Sequence, residues 1–391
     1  MQGVDTIFDN NKVPVKKLWQ VIMASSVGTV IEWYDFYIFG SLSAIISVSF
    51  FPKEDPTAAF ISTLAAFGAG FVARPFGGVL FGRLGDLIGR KYTFLLTLLL
   101  MGGSTFAIAF IPSYEKIGLV APALLLALRI IQGLALGGEY GGAATYVAEY
   151  APDAHRGKYT SYIQTTATLG FFVSIIVVLV CQNIIGDAEF KEWGWRIPFA
   201  LSGILVVVSY FIRRNMHESP LFAKLKAEGG LSKNPLKEAF ASKENRRLML
   251  IAMFGAIIGQ GVVWHTGQFY AQIFINKILQ VDFVTTNLVI AASLVVGTPL
   301  FVVFGSLSDR VGRKVIMLGG MALAAIFYYP LFAWMSDIVG KEGTMVNGAV
   351  QLTNWGKIEL AFICCLLVTF AAMAYGPIAA FLVELFPTKI R

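Results

Sequence analysis

Charge, cysteine and histidine are all scarce in this 391-residue chain, and each scarcity closes off a class of function. Only 14% of the residues are charged against 56% apolar, too few to cover the surface of a soluble globule. Cys181, Cys364 and Cys365 all lie in apolar runs, two of them adjacent, and no Cys/His spacing suits zinc, so neither a disulfide nor a metal site is expected. No nucleophile and base, metal cluster or phosphate loop occurs in a supporting context, which argues against an enzyme. The excess of 31 Lys and Arg over 24 Asp and Glu invites a nucleic-acid reading. The basic residues sit in alternate loops, however, and topology accounts for them better.

What the chain has in plenty is long apolar runs, each able to cross a hydrocarbon layer of about 30 Å with roughly 20 helical residues. Six candidate spans cover residues 18–51, 57–82, 92–111, 122–150, 159–185 and 195–211. After a polar stretch, four more cover 248–275, 285–307, 315–334 and 358–385. Backbone groups in lipid must be satisfied within their own segment, so these runs are predicted to be helices and the fold class all-α integral membrane. The expected division is a six-helix bundle (1–212), a basic linker (213–247) and a four-helix bundle (248–391). Lys12, Lys16 and Lys17 before the first run resemble the start of a signal peptide. That run is too long, is broken by Glu32 and Asp35, and lacks a cleavage site, so it reads as a retained span.

Loops left in the cytoplasm carry the Lys/Arg excess. With the N-terminus inside, 22 of the 31 basic residues fall inside, 7 outside and 2 within spans, a threefold bias that supports this orientation in a plasma (inner) membrane. The linker, with Lys224, Lys226, Lys233, Lys237, Lys243, Arg246 and Arg247, reads as a plain basic connection that also suits anionic headgroups. Its stretch 221–240 is compatible with a short helix on the membrane surface.

The chain repeats itself. GRLGDLIGRK at 82–91 and GSLSDRVGRK at 305–314 share six of ten residues at an offset of 223, each joining the second span of its half to the third. EYAPDAHR from Glu149 and ELFPTKIR from Glu384 form a second pair at an offset of 235. The 12-residue difference is expected to be an outer-loop insertion around 337–357. These are parallel repeats, and two helices of the first half have no counterpart in the second, which points to a fragment rather than to a shortened variant.

The two GxLxDxxGRK loops, with RIIQGLALGGEYGG at 129–142, resemble the major facilitator superfamily. IEWYDFYIFG (31–40), RPFGGVLFGRLGD (74–86) and RRNMHESPLF (213–222) are similar to its metabolite:proton symporter family. The resemblance covers essentially the whole chain and departs at its C-terminal end. It implies two six-helix bundles rocking about a midplane cavity, of which six and four helices are present here. It also implies transport of a small metabolite, an organic acid or a zwitterion such as proline or betaine, with protons moving inward and no cofactor.

Glu32 and Asp35, three apart in the first span, are the leading proton-site candidates, because ionisable groups at that depth are costly unless they face water or partners. Structural ion pairing is the plain alternative. Arg129, Gln132 and Glu139 lie within roughly 80° on a helical wheel and must face the bundle interior. In the resemblance Arg129 is the basic residue of RxxQG, associated with proton coupling; as a cation it also suits a substrate carboxylate. Gly133, Gly137, Gly138, Gly141 and Gly142 are expected to let a neighbouring helix approach closely. Asp86 and Asp309 are placed to cap helix N-termini while Arg90 and Arg313 stay at the surface, which the resemblance reads as an inner gate. By resemblance Asp86 faces a helix that is absent here. Arg74, near the inner end of its span, suits either gating or snorkelling to headgroups. Gln260, His265, Gln268 and Tyr375 offer polar atoms from the second half, ordinary helix hydrogen bonding being their alternative role.

The expectation is therefore a monomeric, proton-coupled carrier of a small metabolite, contacting lipid and no nucleic acid. An uncoupled facilitator or exporter, and a non-transporting sensor or scaffold, remain the alternatives.

Overall fold

The computed structural model describes residues 15–88, 90–214, 242–346 and 348–385. Ten long helices dominate it: α1 (Val15–Ser41), α2 (Pro56–Ile88), α3 (Arg90–Ile108), α4 (Val120–Tyr150), α5 (Arg156–Ile185), α6 (Arg196–Arg214), α7 (Lys243–Ile278), α8 (Phe283–Val311), α9 (Arg313–Glu342) and α10 (Asn354–Leu385). Seven are long and apolar enough to cross a membrane by themselves, and α6 makes an eighth when counted with the bent segment Asp187–Gly194. The apolar stretch of α3, Leu95–Ile108, is shorter. Glu32, Asp35 and several hydroxyl residues make α1 less uniformly apolar.

Helix starts follow local chemistry. Asp55 accepts the N–H groups of Thr57 and Ala58, Asp282 that of Thr285 and Thr353 that of Gly356, satisfying donors that the first turns of α2, α8 and α10 leave open. Gly312, the glycine before RK in the second repeat loop, has φ 103°, a backbone state that lets α8 stop at Val311 and α9 start at Arg313.

Two sequence expectations change. The first span is not one helix of 18–51: it breaks at Leu42 and resumes as Ser43–Phe50. The stretch taken as an outer-loop insertion begins as helix, since α9 continues to Glu342. It then forms an antiparallel hairpin, β1 (Gly343–Val346) with β2 (Ala349–Leu352). Val350 of β2 exchanges backbone hydrogen bonds with Gln280 and Asp282, so the hairpin straps the α7–α8 turn. The surface helix expected at 221–240 lies outside the described residues.

Packing within the first six helices depends on missing side chains. A Cβ at Gly133 or Gly137 of α4 would run into the carbonyls of Gly70 or Arg74 in α2, so the backbones of these helices touch. The expected close approach is therefore present at these glycines, while Gly141 and Gly142 fall among residues whose side-chain surroundings are not described. Between the halves, α5 crosses α8 where Gly157 and Ser161 meet Gly305 and Ser308. One aromatic-rich core joins both sets of helices.

Candidate functional site

The core of this interface is a chain of rings contributed by both halves. Trp33, Phe36 and Tyr37 of α1, with Phe67 and Phe71 of α2, meet Trp264, His265 and Phe269 of α7. Centroid separations are 5.3 Å for Trp33–Tyr37, 5.5 Å for Tyr37–Trp264, 4.9 Å for Phe67–Phe269 and 4.9 Å for Phe71–His265. Gly40 makes room: a Cβ there would enter the Phe269 ring. At the end away from the repeat loops, Lys277 of α7 lies 5.3 Å from the Phe60 ring of α2.

Two guanidiniums are packed into these rings. Arg129 is fully buried, 4.5 Å from Phe36, 4.3 Å from Phe39 and 5.0 Å from Phe67. Its Nη1 donates to Gln132 Oε1 at 2.5 Å, and Gln132 Nε2 donates to Thr105 Oγ1 at 2.8 Å, which in turn donates to the Met101 carbonyl. The polar stripe predicted on α4 thus faces inward at Arg129 and Gln132; the Glu139 side chain lies outside the described residues. Arg74 corrects its sequence reading. Its guanidinium does not snorkel; it sits 4.1 Å from Phe71, 4.4 Å from Phe36 and 5.2 Å from Trp33, because α2 places it on the face that meets α1.

The two acids of α1 are both buried, at 1% exposure, but they do not act as one pair. Asp35 turns into the first six helices, where its Oδ1 accepts from Ser202 Oγ of α6 at 2.5 Å and its Oδ2 lies near Gly102 of α3. Glu32 is about 40° around the helix from Phe36 and about 60° from Asp35, on the side of the arginine-bearing rings.

From the second half, α7 brings two of the predicted polar residues, His265 and Gln268, near this cluster. Its turns at Met253–Ile257, His265–Tyr270 and Phe274–Ile278 are wider than α-helical, a local form common at functional sites. His265 Nδ1 lies 2.8 Å from the Gly261 carbonyl, and Thr168 of α5 donates to Gln268 Oε1 at 3.5 Å. Tyr375 packs edge-on to Trp264 and Phe301 and lies within electrostatic reach of Arg74. Gln260 is buried in α7 but enters no ring contact or hydrogen bond with the cluster among the described residues.

At the repeat-loop end the halves are joined by charge. Asp309 of α8 accepts the backbone N–H of Gly157 at 2.8 Å and of Lys158 at 2.9 Å, capping α5 from the opposite half. Arg313 donates to Ser308 Oγ at 2.9 Å, Asp309 Oδ1 at 2.5 Å and Glu384 Oε1 at 3.0 Å, and Arg156 approaches Glu384 at 3.7 Å. Arg313 is therefore not a surface residue: its side chain is 13% exposed. The Asp86 and Arg90 side chains lie outside the described residues.

Sequence reasoning missed the ring cluster, Ser202, Thr105 and the pairing role of Glu384. Aromatic residues at helical spacing look like any core, and Glu384 stood out only as part of a repeat.

The sequence pattern of the family described as "Sugar (and other) transporter" matches residues 20–229 and 222–391. The alpha-ketoglutarate permease of Escherichia coli (strain K12) is 34% identical over 96% of this chain and 82% of its own length. The inner membrane metabolite transport protein YhjE of the same organism is 35% identical over 100% and 86%. A protein described as a proline/betaine transporter of Staphylococcus aureus is 33% identical over 86% and 73%. Among solved structures, the xylose transporter XylE from E. coli in a partially occluded inward-open conformation superposes with a TM-score of 0.70 at 19% identity, covering 96% of this chain and 86% of XylE. A mutant form of the nucleoside transporter NupG gives 0.57 at 16%, over 93% and 82%. At such identities the likeness is one of fold.

Proposed function

This chain belongs to the sugar (and other) transporter family, within the major facilitator superfamily, and on that premise we propose that it carries a small carboxylate together with protons across the inner (plasma) membrane by alternating access. It is a multi-pass membrane transporter of metabolites and not an enzyme. The observation that carries the anionic reading is an excess of donors at the ring cluster. Arg74 Nε and Nη2, Arg129 Nε and Nη2, Tyr37 OH, Trp264 Nε1 and Gln268 Nε2 are buried with no hydrogen-bond partner among the described residues. Buried polar groups are normally satisfied, so a set of open donors is suited to a ligand rich in acceptors. A carboxylate is such a ligand; the ammonium of a zwitterion is not.

In this reading residues 1–212 and 248–391 move as two bodies linked by 213–247, as a monomer in contact with lipid. The repeat-loop end faces the cytoplasm with the N-terminus. Arg129 and Gln132 hold the substrate carboxylate, with Gln260, Gln268, His265 and Tyr375 lining the route from the second half. Glu32 and Asp35 take up and release the coupling proton, with Glu139 and Arg129 as further members of the relay. Asp309 and Arg313 latch the inner gate, with Asp86 and Arg90 as its first-half counterpart. No cofactor is needed, because the proton gradient supplies the driving force.

The test is uptake of labelled oxoglutarate, shikimate, citrate, proline and betaine into vesicles carrying the protein, with and without an inward proton gradient. Gradient-dependent accumulation of one of the acids is expected. Accumulation of proline or betaine instead would replace the carboxylate reading, and equilibration indifferent to the gradient would leave a facilitator. Ligand binding with no transport at all would mark a sensor.

A further inference from the structure

Arg74 and Arg129 share an aromatic ring: their guanidinium carbons lie 4.4 Å and 4.5 Å from the centroid of Phe36, which bounds their separation at about 9 Å. No ion pair joins either of them to a carboxylate among the described residues. Each keeps two buried nitrogens, Nε and Nη2, without a hydrogen-bond partner. Two like charges held this close in a poorly polarisable core repel, and ring faces only partly replace the water they have lost. The two positions also come from different helices, α2 and α4, whose backbones touch through Gly70, Gly133 and Gly137, so their spacing is set by rigid packing rather than by flexible side chains.

We propose that Arg74 and Arg129 are a two-point clasp and that the substrate is a short-chain dicarboxylate, one carboxylate on each guanidinium and the carbon spacer along the Phe36 edge. This rests on the anionic reading above. Charge balance ranks the ligands. A dianion neutralises both cations, a monocarboxylate leaves one unneutralised, and a zwitterion brings a third positive charge toward two. Geometry agrees with charge. A spacer of a few carbons puts two carboxylates at separate guanidiniums within the bound that Phe36 sets, and the flanking rings of Trp33, Phe39, Phe67 and Phe71 offer the apolar walls that methylene groups prefer. A guanidinium fork pairs with both oxygens of a carboxylate, which a lysine in the same place does not. Arg74 is thereby a substrate-binding residue rather than a gate.

The experiment uses the whole protein in proteoliposomes. Uptake of labelled 2-oxoglutarate is competed with succinate, glutarate, butyrate and proline, and repeated with Arg74→Gln and Arg74→Lys. In the unmodified protein the dicarboxylates are expected to compete at least about tenfold better than butyrate. Arg74→Gln raises the inhibition constants of succinate and glutarate by about tenfold to a hundredfold and leaves that of butyrate within about threefold, so the preference for two charges collapses. Arg74→Lys keeps the charge without the fork and gives a smaller loss of that preference. A merely structural arginine would lower the maximal rate for every substrate while keeping the ratio of dicarboxylate to monocarboxylate constants. An unchanged ratio in the variants therefore overturns the clasp while leaving the carboxylate reading intact. If the unmodified protein accumulates proline and no acid, both fall together. Should Arg74→Gln not reach the membrane, the ratio measured in Arg74→Lys decides the matter by the same criterion.

Discussion

Ser202 of α6 donates its hydroxyl to the Oδ1 of Asp35 in α1 at 2.5 Å, deep among the first six helices and away from the second half. A proton carried at Asp35 would thus be handled at a place distinct from the ring cluster proposed to hold the substrate. Asp35→Asn, which keeps the shape and cannot release a proton, is expected to abolish gradient-driven accumulation while leaving exchange of external for internal substrate measurable. Ser202→Ala removes one hydrogen bond to an ionisable group and should weaken coupled uptake by about tenfold to a hundredfold at subsaturating substrate. Loss of substrate binding in both variants would instead make Asp35 a substrate contact.

The Asp309 cap on α5 is expected to hold the repeat-loop end shut. Asp309→Ala removes both acceptors of Gly157 and Lys158, and the conformational balance should move toward the state open at that end. Labelling of a cysteine introduced at Ser161 by a membrane-impermeant thiol reagent, applied from the cytoplasmic face, should then rise several-fold over the same cysteine with Asp309 intact. Equal labelling in the two backgrounds would remove the latch role.

Two glycine substitutions should behave oppositely. Gly137→Ala drives a methyl group into the Arg74 carbonyl of α2, a backbone contact that cannot yield without separating the helices, and should prevent accumulation of folded protein. Gly68→Ala in α2 meets nothing within 4 Å and should stabilise the helix by about 0.5–1 kcal/mol, read as a raised unfolding midpoint in detergent.

Tyr328 of α9 donates its hydroxyl to the Val263 carbonyl at 2.7 Å, just before the wide turn His265–Tyr270, and Gly267 leaves the space for it. Tyr328→Phe keeps the ring packing against Phe332 and Phe370 and removes only that bond and the longer contact of the same hydroxyl with the Leu367 carbonyl at 3.4 Å. The expected cost is about 1 kcal/mol of stability. The substrate KM should also rise, because the turn aims Trp264, His265 and Gln268. An unchanged KM with lowered stability would assign the bond to folding alone.

The sequence alone carried the helical class, the duplication and the inward stripe at Arg129 and Gln132, because apolar run length and a 3.6-residue period are local properties. The Asp309 cap was half legible: its motif marked the residue, but the partner, an N-terminus 152 residues away, depends on how the halves dock. For Arg74 the sequence left snorkelling and gating both open, because an arginine near a span end looks the same whether its chain bends to headgroups or into rings; the rotation of α2 excludes the first. Asp35 was grouped with Glu32 since three residues apart on a helix are neighbours, yet Ser202 draws one of them toward α6. The hairpin Gly343–Leu352 escaped notice because four-residue strands beside long helices leave little periodic signal.

Substitution of a side-chain helix cap is worth about 0.5–2 kcal/mol and a single exposed or half-exposed ion pair less than about 1 kcal/mol. The join at Gly157, Lys158, Asp309, Arg313 and Glu384 is built from such parts, so closure at that end biases the population by factors of tens to a few thousand rather than locking it. A ligand whose affinities for the two states differ by a comparable factor is enough to invert the bias. In the proposed alternating-access reading the cap would act as a threshold: an empty carrier would open at that end only rarely, and a bound substrate would shift which side the site faces, with the proton gradient still supplying the energy for accumulation.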